Sequence, residues 1–227
     1  MAVRMKRSLF TLLLVAGLWP FAPAGAADVV LVRGTVSTPN ESERNYAQTV
    51  TRHLDRWLTE INIPHVTVDD DKVGPALASA RVAILGYNPS LPSRELGELR
   101  SLVKRGGKLI VFYSADPDLA RLLGLELGPY ASGGSWSAIR FNESAPRHLP
   151  AVVFQTSRNI RPVRPADPSA RVIANWETAV GQTLPDPAWV QSDKGFWMSH
   201  VLLDDGDTEA KKQMLLGLIA ACDPSVW

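Results

Sequence analysis

The sequence predicts an α/β fold: a doubly wound, mostly parallel sheet in a three-layer sandwich, with extra short antiparallel strands in the second half. Three observations predict it. Two short, wholly apolar runs, Val29 to Val32 and Val82 to Leu85, read as strands covered on both faces, the pattern of parallel sheets. Amphipathic helical stretches separate such runs, the alternation from which right-handed β-α-β crossovers are built. From residue 125 to about 205 the pattern shifts to strand candidates punctuated by Gly, Pro and Ser.

The first segment stands apart from this domain. A basic start (Arg4, Lys6, Arg7) precedes an apolar stretch from Leu9 to Trp19 and the small-residue run Ala24-Gly25-Ala26. That layout predicts a cleaved secretory signal over residues 1–26 and an exported, periplasmic or extracellular product. The apolar stretch is shorter than the roughly 20 residues that span a bilayer. Cleavage removes three cations and no acid, taking the formal charge from +1 to −2. A mildly acidic chain without clustered Lys and Arg argues against nucleic acid as a partner. No cysteine near the cleavage site offers a lipid anchor, and no later run is long and apolar enough to span a membrane, so no membrane association is expected after cleavage.

Residues 27–227 read as one domain. After the first strand, Thr38-Pro39-Asn40-Glu41 predicts a helix start with Thr38 as cap. Tyr46, Val50, Leu54, Leu58 and Ile61 then recur at helical spacing. Val66 and Val68 mark a strand that runs into Asp69-Asp70-Asp71, read as a solvated turn. After the strand Val82 to Leu85, Pro92 opens a helix carrying Leu96, Leu99, Leu102 and Val103, ended by Gly106 and Gly107. Leu109 to Tyr113 is the fourth strand, and Asp116-Pro117 starts a short helix. The strand-rich stretch offers Trp136 to Phe141, Val152 to Gln155, Arg171 to Trp176, Trp189 to Gln191 and Phe196 to Leu203, the last two joined by a turn at Ser192 to Gly195. These are expected to extend the sheet edge or form a small antiparallel lobe. A helix from Thr208 to Ala221, capped by Asp207, closes the chain.

In such a sheet the ligand lies beyond the carboxyl ends of the strands, where strand order reverses. Thr35, Tyr87, Asn88 and Ser114 follow strands there, and with Trp136 and His200 they form the candidate ligand pocket. One glycine, Gly34, in the first turn is too few for a dinucleotide fingerprint. Ser114 stands where a nucleophile elbow would, with His200 as base and Asp116 or Asp204 to orient it, but its flanks Phe112 and Asp116 lack the glycines of such a turn. A serine near a helix start also serves as a cap. The four histidines, His53, His65, His148 and His200, lack metal-ligand spacing, and Asp204, Asp205 and Asp207 miss the calcium-loop signature. Neither a metal nor a cofactor is expected. Cys222, the one cysteine, excludes an intrachain disulfide and reads as a buried apolar filler. Glu126, Glu143 and Glu177 are the acids from which a glycosidase pair would be drawn. Trp136, Trp176, Trp189 and Trp197 suit either a core or a sugar face.

The β-α-β order with AILGYNP (Ala83 to Pro89), RGGKLIVFYS (Arg105 to Ser114) and GFWMSHVLL (Gly195 to Leu203) resembles a class I glutamine amidotransferase-like domain, with its flavodoxin-like layering. More narrowly, it resembles the N-terminal domain of secreted bacterial family 10 glycosyl hydrolase-like proteins, without the barrel that follows there. Where that class places its catalytic cysteine, this sequence has Ser114, so the resemblance implies that glutamine hydrolysis is absent. It implies a non-catalytic extracytoplasmic module that binds a glycan, another cell-envelope ligand or a protein partner. The alternatives are a secreted hydrolase of glycosidase or esterase type, using Ser114 or a carboxylate pair, and an oligomerisation or interaction module.

Overall fold

A computed structural model describes residues 28–226; the signal sequence read at residues 1–26 lies outside the described residues. β1 (Val29–Arg33) leads to α1 (Glu41–Glu60), β2 (His65–Asp69) and, through a 3-10 turn at Asp70–Lys72, to α2 (Val73–Leu77). β3 (Val82–Leu85), α3 (Ser93–Lys104), β4 (Lys108–Val111) and α4 (Pro117–Leu122) complete the first half. The second half holds β5 (Leu125–Leu127), β6 (Ala131–Phe141), β7 (Val152–Ile160), β8 (Val163–Pro165), β9 (Arg171–Glu177), β10 (Thr183–Ser192) and β11 (Gly195–Met198). α5 (Thr208–Cys222) follows.

One nine-stranded sheet has the order β2-β1-β3-β4-β11-β10-β9-β6-β7, and β5 pairs with β8 apart from it. The ladders joining β2, β1, β3, β4 and β11 are parallel; those from β11 outward are antiparallel. The sheet is therefore mixed, where the sequence predicts a mostly parallel one. The reason lies in β11. It enters beside β4 in the parallel direction, and the tight Asp193-Lys194 turn then obliges β10 to run back against it. The strand-rich half thus continues the main sheet instead of forming a separate lobe.

Alternation along the central strands sets the layers. Val29 and Leu31 face α1 and α5, packing with Leu54, Trp57, Leu58, Met214 and Leu218. Val30 and Val32 face the other way, toward α2, α3 and α4 through Leu77, Leu99 and Leu119. Both faces are covered, so these strands read as continuous apolar runs. Trp136, Trp176, Trp189 and Trp197 are all buried in these two cores.

Local capping departs from expectation at two points. Asn40, not Thr38, caps α1, accepting from Glu43 N at 2.9 Å, while the Thr38 hydroxyl donates to the Thr35 carbonyl. Asp207 precedes α5 in the left-handed region and makes no cap; its carboxylate instead accepts from Phe154 N at 2.7 Å. Asp205 accepts from Thr156 N, so the acidic run covers the open edge of β7, a device that keeps an edge strand from pairing with other chains. Asp205 also holds the fully buried Lys211, and Asp204 pairs with Arg56. The carboxylates considered for calcium are thus occupied by the protein's own donors.

Candidate functional site

Strand order reverses at β1, which has β2 on one side and β3 on the other. At the carboxyl end of β1 the segment Gly34 to Thr38 folds onto Asp70. The Asp70 carboxylate accepts from the backbone N–H groups of Thr35 (2.9 Å), Val36 (3.0 Å) and Ser37 (2.8 Å), and from the Thr35 hydroxyl. Burial alone would raise its pKa, but these donors outweigh it and hold the group below the usual carboxylate value. Asp70 is therefore a buried clasp, where the sequence suggested a solvated turn. Asp70→Ala should orphan three main-chain donors and, at about 1 kcal/mol or more each, lower stability at pH 7 by about 3 kcal/mol in urea titration. Because the folded pKa is depressed, this contribution is present above the unfolded value and is lost as pH falls through the folded one. The penalty of the substitution should therefore shrink in acid.

Beside this clasp, past the ends of β3, β4 and β11, lies a pocket of about 200 Å³ lined by Tyr46, Tyr87, Tyr113, Tyr130, Asn159, His200 and Val201. The sequence has four tyrosines, and all four line this pocket. Tyr87 and Tyr113, each two residues beyond its strand, stack with ring centroids 5.1 Å apart and planes 10° apart. Tyr46, from α1, meets Tyr87 edge-on at 5.0 Å. The Tyr87 hydroxyl donates to Glu43 Oε2 at 2.7 Å, which fixes the stack to α1. Burial raises the pKa of Tyr46, Tyr87 and Tyr113, so their hydroxyls stay protonated donors. Burial lowers the pKa of His200, leaving the imidazole neutral at pH 7; its Nδ1 lies 3.1 Å from the Val201 carbonyl.

Of the residues singled out from sequence, Tyr87 and His200 line this pocket. Thr35 lies in the Asp70 clasp and borders a separate cleft with Arg33, Gly34, Glu41, Arg44, Asn45 and Gln48. Asn88 is fully buried beneath the surface, and neither its amide nitrogen nor its amide oxygen has a partner. Ser114 is buried too, its hydroxyl oxygen accepting from Asp116 N at 3.1 Å to close the turn before α4, whose cap is Asp116 and not Ser114; among the described residues no hydrogen bond joins it to His200. Trp136 stands on β6, packed over Gly134, its indole N–H donating to Asp186 at 3.2 Å. Cys222 lies at the opposite, amino edge of the sheet, beside Ala80, Arg81 and Gly107, and burial pushes its thiol up to about 12. Tyr46, Tyr113, Tyr130 and Asn159 escaped the sequence reading. The signal for Tyr113 was its place at the end of the run read as the fourth strand; Tyr130 and Asn159 are brought in by the antiparallel extension, whose register no local pattern fixes.

No protein-family model matches the chain, nor does any curated protein sequence. Solved structures do. A ThuA-like protein from Bacteroides uniformis aligns with a TM-score of 0.64 at 15% identity, over 90% of this chain and 95% of that one. A GMP synthase component from Thermoplasma acidophilum gives 0.54 at 11% identity, over 87% and 95%. The fold is amidotransferase-like. An exo-β-1,4-mannosidase from an Opitutaceae bacterium gives 0.58 at 15% identity, over 87% of this chain but 36% of that one. The amidotransferase-like domain described here thus corresponds to about a third of that enzyme's length. At such identities the likeness is one of fold, which does not carry function with it.

Proposed function

We propose that this amidotransferase-like domain is a non-catalytic, extracytoplasmic binding module whose ligand is a carbohydrate of polysaccharide or cell-envelope metabolism. The observation that carries the reading is the convergence of every tyrosine in the sequence on one pocket at the carboxyl edge of the sheet. Aromatic faces take up the apolar faces of sugar rings, while neutral hydroxyls, an amide and an imidazole bond their hydroxyl groups. At about 200 Å³ the pocket is smaller than those that hold drug-sized ligands, and suits one or two rings. The secretory-signal layout read at residues 1–26 supports the compartment. The likeness to part of a mannosidase supports the substrate class. The non-catalytic part of the reading rests on Ser114, whose buried hydroxyl is engaged by Asp116 N in the turn before α4, and on the distance of Cys222 from this edge.

A thermal-shift screen of the mature protein against mannan, galactan and peptidoglycan oligosaccharides tests this. A ligand bound only by the native state raises stability by about 2.7 kcal/mol at a hundred times its Kd, so a shift of several degrees is expected with at least one glycan. Tyr87→Ala should weaken that ligand about tenfold, a loss of roughly 1.4 kcal/mol. A bound glycan whose affinity is indifferent to Tyr87→Ala would place binding elsewhere.

A further inference from the structure

We propose that the tyrosine pocket carries an anion subsite built on Arg161, and that its ligand is an acidic sugar whose ring carboxylate meets that guanidinium. This rests on the ligand-binding reading above and narrows it to a chemical class.

Arg161 directly follows β7. Ile160 is buried in the core, so the neighbours on either side, Asn159 and Arg161, fall on the other side of the extended chain, and Asn159 lines the pocket. The last β6–β7 pair at this end is Ala131 with Ile160, and one further step sets Tyr130, also a lining residue, opposite Arg161. The backbone N–H of Arg161 donates to the Ser199 carbonyl at 2.8 Å, tying it beside His200. Its charge acts on the Tyr113 hydroxyl.

What sets Arg161 apart is its Nε, the one arginine nitrogen among the described residues that is shut off from water with no partner. Arg33, Arg56, Arg81, Arg121 and Arg140 each pair with a carboxylate. Among the described residues no acceptor meets the Arg161 guanidinium, although the side chain is half-buried and its Nε is out of water with no partner. Glu43, the carboxylate that touches the tyrosine cluster, is engaged by Tyr87 from the α1 side. A desolvated donor left without an acceptor is unfavourable. A carboxylate forked on the guanidinium supplies what is missing, in the planar geometry that arginine favours. The tyrosine faces beside it offer the ring its stacking surface, and with His200 neutral at pH 7 Arg161 is the cation that flanks the lining residues Asn159 and Tyr130.

Calorimetric titration of the mature protein with trigalacturonate and with its fully methyl-esterified form tests this. The acid should bind at least tenfold more tightly than the ester, with a preference flat from pH 7 to pH 9 and weakened by salt. Arg161→Gln should bring the acid down to the level of the ester without lowering the melting temperature, since the side chain makes no hydrogen bond among the described residues. Arg161→Lys should keep part of the preference. Equal affinity for acid and ester, or a preference that survives Arg161→Gln, would overturn the proposal. If neutral glycans bind and acidic ones gain nothing, the subsite fails while the binding reading stands; if no glycan of either kind binds, both fall.

Discussion

Replacing Glu95 with Gln should raise stability at pH 7 by about 3 kcal/mol and remove most of the pH dependence of stability between about pH 4.5 and pH 9. Glu95 sits in the first turn of α3 yet is 1% exposed, with no hydrogen-bond partner for either carboxyl oxygen. Burial, and secondarily the nearby Asp70 and Asp116 carboxylates, push it up to about 9 from an ordinary 4.5. The folded pKa is raised, so the contribution is complete below the unfolded value and is lost as pH climbs toward the folded one. At pH 7 the unfolded chain gains from ionisation what the folded chain cannot. Gln keeps the shape and removes the ionisation. Near pH 4 the two proteins should unfold alike. At pH 8 the variant should melt about 10 °C higher, at 2 to 4 °C per kcal/mol for a domain of this size. Parallel stability curves for the two proteins across this range would mean that Glu95 is not held neutral.

The second large effect is expected at the seam between the two halves of the sheet. β11 is the strand through which the antiparallel half joins β4, and it begins at Gly195, opposite Leu109. Gly195 has φ +140°, and a methyl group there would overlap the Leu109 carbonyl oxygen and lie 2.7 Å from its backbone nitrogen. Both obstacles are main chain, so no side chain can turn aside. Gly195→Ala should cost at least about 3 kcal/mol, from the clash and the strained backbone together. Gly181 also has positive φ, but nothing lies within 4 Å of its added methyl group, so Gly181→Ala should cost only about 1 kcal/mol. Urea midpoints of the two variants would separate the contributions. Equal midpoints would show that the β4–β11 seam tolerates displacement.

The first half of the fold was legible because its signals are local. Val29 to Val32 and Val82 to Leu85 announce buried strands, and Asp116-Pro117 announces the start of α4, where Asp116 caps by accepting from Asp118 and Leu119 N–H. The second half was legible as strands but not as topology. Whether β11 lies beside β4 depends on contacts between residues about 85 apart, which no periodicity records. Glu95 and Asp70 were hidden for a related reason. An acid in the first turn of a helix, or in a run of three, ordinarily belongs at the surface, and only the packing of α3 and of the Thr35 to Ser37 segment buries these two. The pocket was half legible: Tyr87 and His200 follow strands, whereas Tyr130 and Asn159 enter through a register that the turn residues did not specify.

The most direct test of the tyrosine pocket as a ligand site uses the tyrosines themselves. With 3-fluorotyrosine incorporated throughout, the protein would carry four fluorine resonances, all from this one pocket. Titration with a glycan that raises the melting temperature should shift most of them, with a common saturation point that matches the calorimetric Kd. A glycan that binds while all four resonances stay fixed would contradict the account.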